Sequence, residues 1–361
     1  MHYARRTCFR TILAVAVGLC FQFLSAGSTA AQTPDQVLEN DKPIPILTGN
    51  AGTFSFVSGG QNLIDTQINP VLLVPLGDHW LIESRGAFEG QFQRPPDGGP
   101  YKGPVTKYVD YAQLDYIANP FLTVTLGRFL TPFGIFNERL YPTWIRALQP
   151  DPLILGIGTA TSDGAMLRGG FAVNPAANMN YAAYISGTSI GIGSVATERH
   201  VGGRMGFFFP GPRLEVGASW QKTLQGDRKN SFGAHMGWQP TKAPLNLRAE
   251  IARSYYGSGY WVEGAYRLSQ ARFWQKEMRR TEVVGRMQQF YAGQVNWWAS
   301  PWALPWADTR EADFGVNYFL RDGLKVVGSY GRQFSPLGNF NQWTYGVAYR
   351  WLIPLGPTGA R

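Results

Sequence analysis

The sequence predicts an all-β protein, a transmembrane antiparallel β-barrel of about 16 strands, on three observations. From residue 51 onward, apolar and polar residues alternate with period two over segments of about 9–11 residues, the length a tilted membrane-crossing strand needs. Tight turns and longer connectors alternate between these segments. Aromatic residues make up 14% of the chain and charged residues only 16%, proportions that suit strands with one face in lipid.

The chain opens with Arg5, Arg6 and Arg10, an apolar run from Thr11 to Leu24, and the small residues Ser28-Thr29-Ala30-Ala31. That order reads as an export signal over 1–31, cleaved after Ala30 or Ala31, rather than as an anchor. Leu19 precedes Cys20, where a lipoprotein site takes a small residue, so lipidation is disfavoured. Both cysteines, Cys8 and Cys20, leave with the signal, which excludes disulfides and thiol chemistry from the mature chain. Without the three signal arginines, 30 basic residues face 24 acidic ones, a mild net charge of +6. An exported chain seldom meets nucleic acid, which is therefore no expected partner.

Residues 32–50 carry Pro34, Pro43 and Pro45 among polar residues and read as a periplasmic lead-in. The rest, 51–361, shows no second domain, and no stretch in it approaches the roughly 18 consecutive apolar residues of a membrane helix.

The expected strands are 51–58, 64–75, 80–93, 106–118, 121–129, 162–173, 178–187, 199–209, 213–224, 230–240, 244–255, 258–269, 280–291, 309–320, 323–334 and 341–352. In the third, Trp80, Ile82, Phe88 and Phe92 share one face while Glu83, Arg85, Glu89, Gln91 and Gln93 share the other. Later strands split likewise: Tyr260, Val262, Gly264 and Tyr266 oppose Trp261, Glu263 and Arg267. The connectors after even-numbered strands are tight, as at Asn119-Pro120 and Pro210-Gly211-Pro212, and those after odd-numbered strands are longer. Short periplasmic turns and long external loops are the outer-membrane pattern. Gln270 to Arg279 breaks it, being long where a turn is due. A soluble β-sandwich also alternates, but does not need aromatic residues at both ends of nearly every strand.

Leu130 to Thr161 is then the third external loop, expected to fold into the lumen and narrow it. It holds Glu138, Arg139, Arg146 and Asp151 among Phe133, Phe136, Tyr141, Trp144 and four prolines, which would hold charged tips in place. The inward faces offer Arg85, Arg168, Arg204, Arg248, Arg267, Arg286 and Arg350. Arginines ringing a pore select anions by replacing lost hydration. Glu83, Glu89, Glu215, Glu250, Glu263, Glu282, Glu311 and Asp313 on the same faces offset much of that field, and ordinary paired lumen lining remains the alternative for each arginine. Arg128 shares a face with Leu122, Val124 and Leu126, so alternation points it to lipid or the headgroup rim unless a bulge intervenes. Trp297, Trp298, Trp302 and Trp306 crowd one external loop, as a rim against lipid or neighbouring subunits or as a sugar-stacking surface.

Catalysis is not expected. His79, His200 and His235 lie in no hydrolase motif, Ser231 near His235 is a weak pair, and neither HExxH nor GxSxG occurs. No cofactor or metal is implied.

Several stretches resemble the phosphate-selective porin O and P family: Leu126-Gly127-Arg128-Phe129 with Thr131-Pro132-Phe133-Gly134, Tyr260-Trp261-Val262-Glu263-Gly264-Ala265-Tyr266, Thr281-Glu282-Val283-Val284-Gly285-Arg286, and Phe314-Gly315-Val316-Asn317-Tyr318-Phe319-Leu320 followed by Leu324-Lys325-Val326. The resemblance implies a homotrimeric, sixteen-stranded outer-membrane channel whose third loop narrows the pore and which passes phosphate or related anions. This chain is lysine-poor, whereas the family's phosphate selectivity goes with lysine-rich pore surfaces. The expected function is passive diffusion of small hydrophilic solutes, anions preferred, across the outer membrane of a Gram-negative bacterium. The alternative is a barrel with a closed lumen whose external loops bind a partner or glycan.

Overall fold

The computed structural model describes residues 44–95, 98–188, 199–225, 228–294 and 304–356. Through them run β1 (Ile46–Ser58), β2 (Gln61–Leu76), β3 (Trp80–Gln93), β4 (Val105–Asn119), β5 (Leu122–Leu130), β6 (Thr161–Asn174), β7 (Ala177–Gly187), β8 (His200–Phe209), β9 (Leu214–Thr223), β10 (Asn230–Trp238), β11 (Leu245–Ser254), β12 (Gly257–Arg267), β13 (Thr281–Ala292), β14 (Thr309–Arg321), β15 (Leu324–Phe334) and β16 (Phe340–Pro354). Each strand pairs antiparallel with its neighbours in sequence, and β1 pairs with β16, so the sheet closes and leaves no open edge.

Every expected strand is present, with ends displaced by a few residues. The largest displacement corrects the lead-in, whose last residues are strand: β1 begins at Ile46, because Ile46 to Asn50 pair with Pro354 to Arg350. The Pro45 carbonyl also accepts the Leu355 amide at 2.8 Å, and β16 runs to Pro354, two residues past its expected end at 352, to complete the closing pair. The signal 1–31, residues 32–43, and Trp297, Trp298 and Trp302 lie outside the described residues. Trp306 is described and exposed.

The two faces of the sheet invert the pattern of a soluble sandwich. Ile82, Phe88, Ile251, Met287, Phe314 and Trp343 are exposed on outward rows, while Glu83, Arg85, Glu89, Glu250, Glu263, Arg286 and Asp313 are buried on inward rows. A continuous exposed apolar band around a closed sheet is stable only against lipid. Among the described residues no helix is long and apolar enough to cross a membrane.

Three local features follow from backbone chemistry. A bulge opposite Arg85 and Gly86 makes Asp110 an extra residue in β4, so Asp110 and Tyr111 are both buried. The register of β5 is unbroken at Arg128, which stands on the outward row and grips Asp163 with two hydrogen bonds of 2.7 and 2.8 Å. The long connector after β12 is spent on a 3₁₀ turn, Leu268–Gln270, and a single helical turn, Gln275–Met278. Arg267 and Glu282 remain paired across it, so its length does not disturb the strand order.

Candidate pore constriction

Residues 131–160 join β5 to β6, and Gly134 sets their entry. Its φ of +67° is a left-handed conformation, and a Cβ there would lie 1.9 Å from Glu250 Oε1. Because glycine leaves that space, the Glu250 carboxylate accepts hydrogen bonds from the amides of Ile135 (3.0 Å) and Phe136 (3.3 Å), and Ser219 Oγ accepts the Gly134 amide at 3.0 Å. These amides lie at the start of a π-helical turn, Phe136–Leu140, where no backbone carbonyl precedes to take them.

From this anchor the loop meets wall after wall. Phe136 packs edge-on to Trp261 of β12 at 6.2 Å between centroids, inside a cluster with Phe133, Leu140, Ile154, Ile157 and Phe290. Glu138 pairs with Arg204 of β8, and Arg139 with Glu215 of β9. Thr143 donates to Asn50 of β1 at 3.0 Å. The loop carbonyls are taken by inward side chains: Lys325 donates to Arg146, Asn317 to Ala147 at 2.9 Å, Arg286 to Pro150 at 2.8 Å, and Ser231 to Ile157 at 3.1 Å. The Leu153 amide donates to Gln288 at 2.9 Å. Asn137 draws the two ends of the loop together, donating to Thr131 O (2.8 Å) and Ala160 O (2.9 Å). A segment held by inward side chains of β1 and of every strand from β8 to β15 runs across the interior of the barrel.

Each of the arginines singled out in the sequence except Arg350 has a carboxylate partner. Arg85 lies 2.9 Å from Asp110 with both side chains fully buried, and its guanidinium faces the Tyr141 ring at 5.2 Å. Burial pushes the Tyr141 phenol well above its ordinary range, the Glu89 and Asp110 carboxylates adding to this, so the ring meets Arg85 and Arg146 as neutral tyrosine. Arg146 is spent inside the loop: it donates to Tyr141 O (2.7 Å) and Gln149 O (2.9 Å), pairs with Asp151 at 2.8 Å, and stacks on Phe136 and Tyr141. Arg286 pairs with Asp313 at 3.2 Å, and Arg248 with Glu263 at 3.7 Å, on the far wall. Arg168 of β6 pairs with Asp115 at 3.3 Å. Arg139, Glu138 and Arg204 form one cluster with Glu215 and His235.

The pairs are not symmetric toward water. Side-chain exposure is 30% for Arg139 against 17% for Glu215, 25% for Arg168 against 1% for Asp115, and 31% for Arg267 against 19% for Glu282. Arg350 is exposed as well and lies over the Trp144 ring at 5.2 Å. The guanidinium side of each of these pairs faces the more accessible space, and the carboxylate lies nearer the wall. Arg146 and Asp151 have the reverse order, at 5% and 19%.

Two small cavities flank the loop. One, bounded by Phe133, Phe136, Asn137, Ile154, Glu250 and Trp261, lies between loop and wall. The other is lined by Glu83, Gln113, Leu130, Glu138, Met166 and Arg168, and each holds about 10 Å³, room for one water. Among the described residues no three His, Cys, Asp or Glu side chains gather closely enough to hold a metal ion.

Glu250, Asn317 and Lys325 all hold loop backbone; alternation puts Glu250 on an inward row without showing that task, and the sequence pattern singled out neither Asn317 nor Lys325 for it. An inward polar residue facing a long loop is the only local signal of such a role.

This architecture is the fold of outer-membrane porin barrels. OmpF of Salmonella typhi, solved with daunomycin, superposes with a TM-score of 0.60 at 13% identity, over 85% of this chain and 97% of that one. OprB of Pseudomonas putida gives 0.55 at 10% identity, over 85% and 92%. A loop-deletion mutant of OmpT, an outer membrane protein of Vibrio cholerae, gives 0.54 at 11% identity, over 85% and 99%. No protein-family model matches the chain, and no curated protein matches it by sequence.

Proposed function

We propose that this chain is an outer-membrane porin of a Gram-negative bacterium, exported by the cleaved signal 1–31, that passes small hydrophilic solutes by passive diffusion and prefers anions, phosphate or similar. The observation that carries the reading is the side-chain asymmetry around the inward loop: Arg139, Arg168 and Arg267 are the more exposed partners of their ion pairs. A solute moving along this interior meets donors before acceptors, and arginine donors match phosphate and carboxylate in fork geometry. Pairing with carboxylates keeps the field moderate, which conduction requires, since an ion bound too tightly does not leave. Residues 131–160 form the constriction, with Arg139 on its water-facing side, Glu138 buried against Arg204, and Arg146 and Asp151 as its internal brace. Lipid covers the outer band, and a homotrimer fits the resemblance to the phosphate-selective porins.

Planar-bilayer recording tests this directly. Discrete ohmic steps and a reversal potential displaced toward the anion's equilibrium value under a salt gradient are expected. A cation-displaced potential removes the anion preference. A second reading has its own support: the loop's contacts with β1 and with every strand from β8 to β15 favour a closed lumen whose external loops bind a partner or glycan, and silent bilayers across several salts would select it.

A further inference from the structure

Charge on the outer face of the barrel lies at one end. Lys107, Arg128, Lys222, Arg253, Arg310 and Arg332 stand on outward rows, all at the strand ends that meet the connectors following odd-numbered strands. Their neighbours on those rows are apolar and exposed: Lys107 lies opposite Phe88, Arg253 opposite Phe232, and Arg310 opposite Phe334. Among the described residues the single carboxylate on these rows is Asp163, bound to Arg128. At the opposite end the outward rows carry Trp80, Phe171, Trp238 and Leu320, and the only charge is Arg321 at the last position of β14. An apolar band edged by basic residues on one side only is matched to a membrane whose leaflet on that side is anionic.

Two of the six form a specific feature. Arg310 pairs in register with Phe334 and Ala312 with Arg332, which makes Arg310 and Arg332 diagonal neighbours on adjacent strands. Arg332 donates to Asn341 of β16 and lies over the Phe334 ring at 5.3 Å, which holds its guanidinium in place. Neither arginine is in a salt bridge among the described residues. Two like charges side by side on a sheet repel unless an anion sits between them. We infer that Arg310 and Arg332 form an outward-facing clamp for the phosphate of a lipid headgroup at the external rim, with Lys107, Lys222 and Arg253 supplying longer-range attraction to the same leaflet. Two guanidinium forks at diagonal spacing reach the oxygens of one phosphate, and the aromatic rows beneath receive the acyl chains.

The inference rests on the membrane placement proposed above but not on conduction, so failure of one leaves the other standing. The test is native mass spectrometry of the full chain in non-ionic detergent, titrated with a diphosphorylated lipid A and with the same glycolipid stripped of phosphate. The phosphorylated lipid is expected to bind roughly thirtyfold more tightly, in line with two basic contacts at a membrane surface. Arg310→Gln with Arg332→Gln is expected to remove that preference while leaving bilayer conductance unchanged. Inorganic phosphate at the lipid's concentration is expected not to compete, since it lacks the acyl contacts. Equal affinity of the unaltered protein for the two lipids overturns the proposal without any variant. Full competition by inorganic phosphate, or a double variant that is folded by heat-shift on gels yet keeps the preference, overturns it too.

Discussion

The Glu250 carboxylate of β11 accepts the backbone amide of Ile135 at 3.0 Å, across 115 residues of chain, and thereby fixes where the inward loop starts. The contact exists because Gly134 has no Cβ to displace the carboxylate. Glu250→Gln and Gly134→Ala are therefore expected to loosen the loop by different routes, one by weakening the acceptor and the other by excluding it. Loss of this buried bond costs about 1–3 kcal/mol. Single-channel traces should show larger and noisier currents for both variants, and thermal unfolding in detergent should shift down. Unaltered traces from a folded Gly134→Ala protein would remove the loop anchor from the account.

Arg139 and Arg168 differ from Arg146 in where their donors point. Arg139→Gln and Arg168→Gln leave Glu215 and Asp115 facing the interior with one cation fewer, so reversal potentials should move toward cation preference. Arg146→Gln instead removes the brace between Tyr141, Gln149 and Asp151, so it should lower stability and raise current noise with little change in selectivity. If all three variants shift selectivity alike, the division into water-facing and bracing arginines fails.

Ionic strength separates a surface field from contact selectivity. The field of Arg139, Arg168 and Arg267 is screened over about 8 Å at 0.15 M salt and about 3 Å at 1 M. Anion preference measured at a fixed gradient should therefore fall steeply between 0.1 and 1 M salt. A preference independent of salt would point to direct coordination at one site.

Arg85 and Asp110 share full burial, and their pairing is what makes either charge tolerable there. Asp110→Asn strands the Arg85 guanidinium and is expected to cost about 3–5 kcal/mol, read as a lower urea midpoint for the lipid-embedded barrel. Replacing both with apolar residues, Arg85→Met with Asp110→Leu, should restore most of that stability. A single variant as stable as the parent would show that water reaches the pair.

The strands were legible because alternation is a local property: each residue's face follows from its neighbours two positions away, whatever the rest of the chain does. The same arithmetic placed Arg128 outward, and the unbroken register of β5 agrees with it. The start of β1 was not legible, since Ile46 to Asn50 become strand by pairing on both sides, with Leu73 to Asn69 and with Pro354 to Arg350 some 300 positions later. Pattern and length drew attention to residues 131–160, and the arginines were visible as cations on inward rows. What each cation does was decided only in three dimensions. Arg146 spends its donors on its own loop, while Arg139 turns toward water, and nothing within a few residues of either tells them apart. Charge is written in the sequence, but its availability depends on which distant carbonyls and carboxylates the closed barrel brings within about 3 Å.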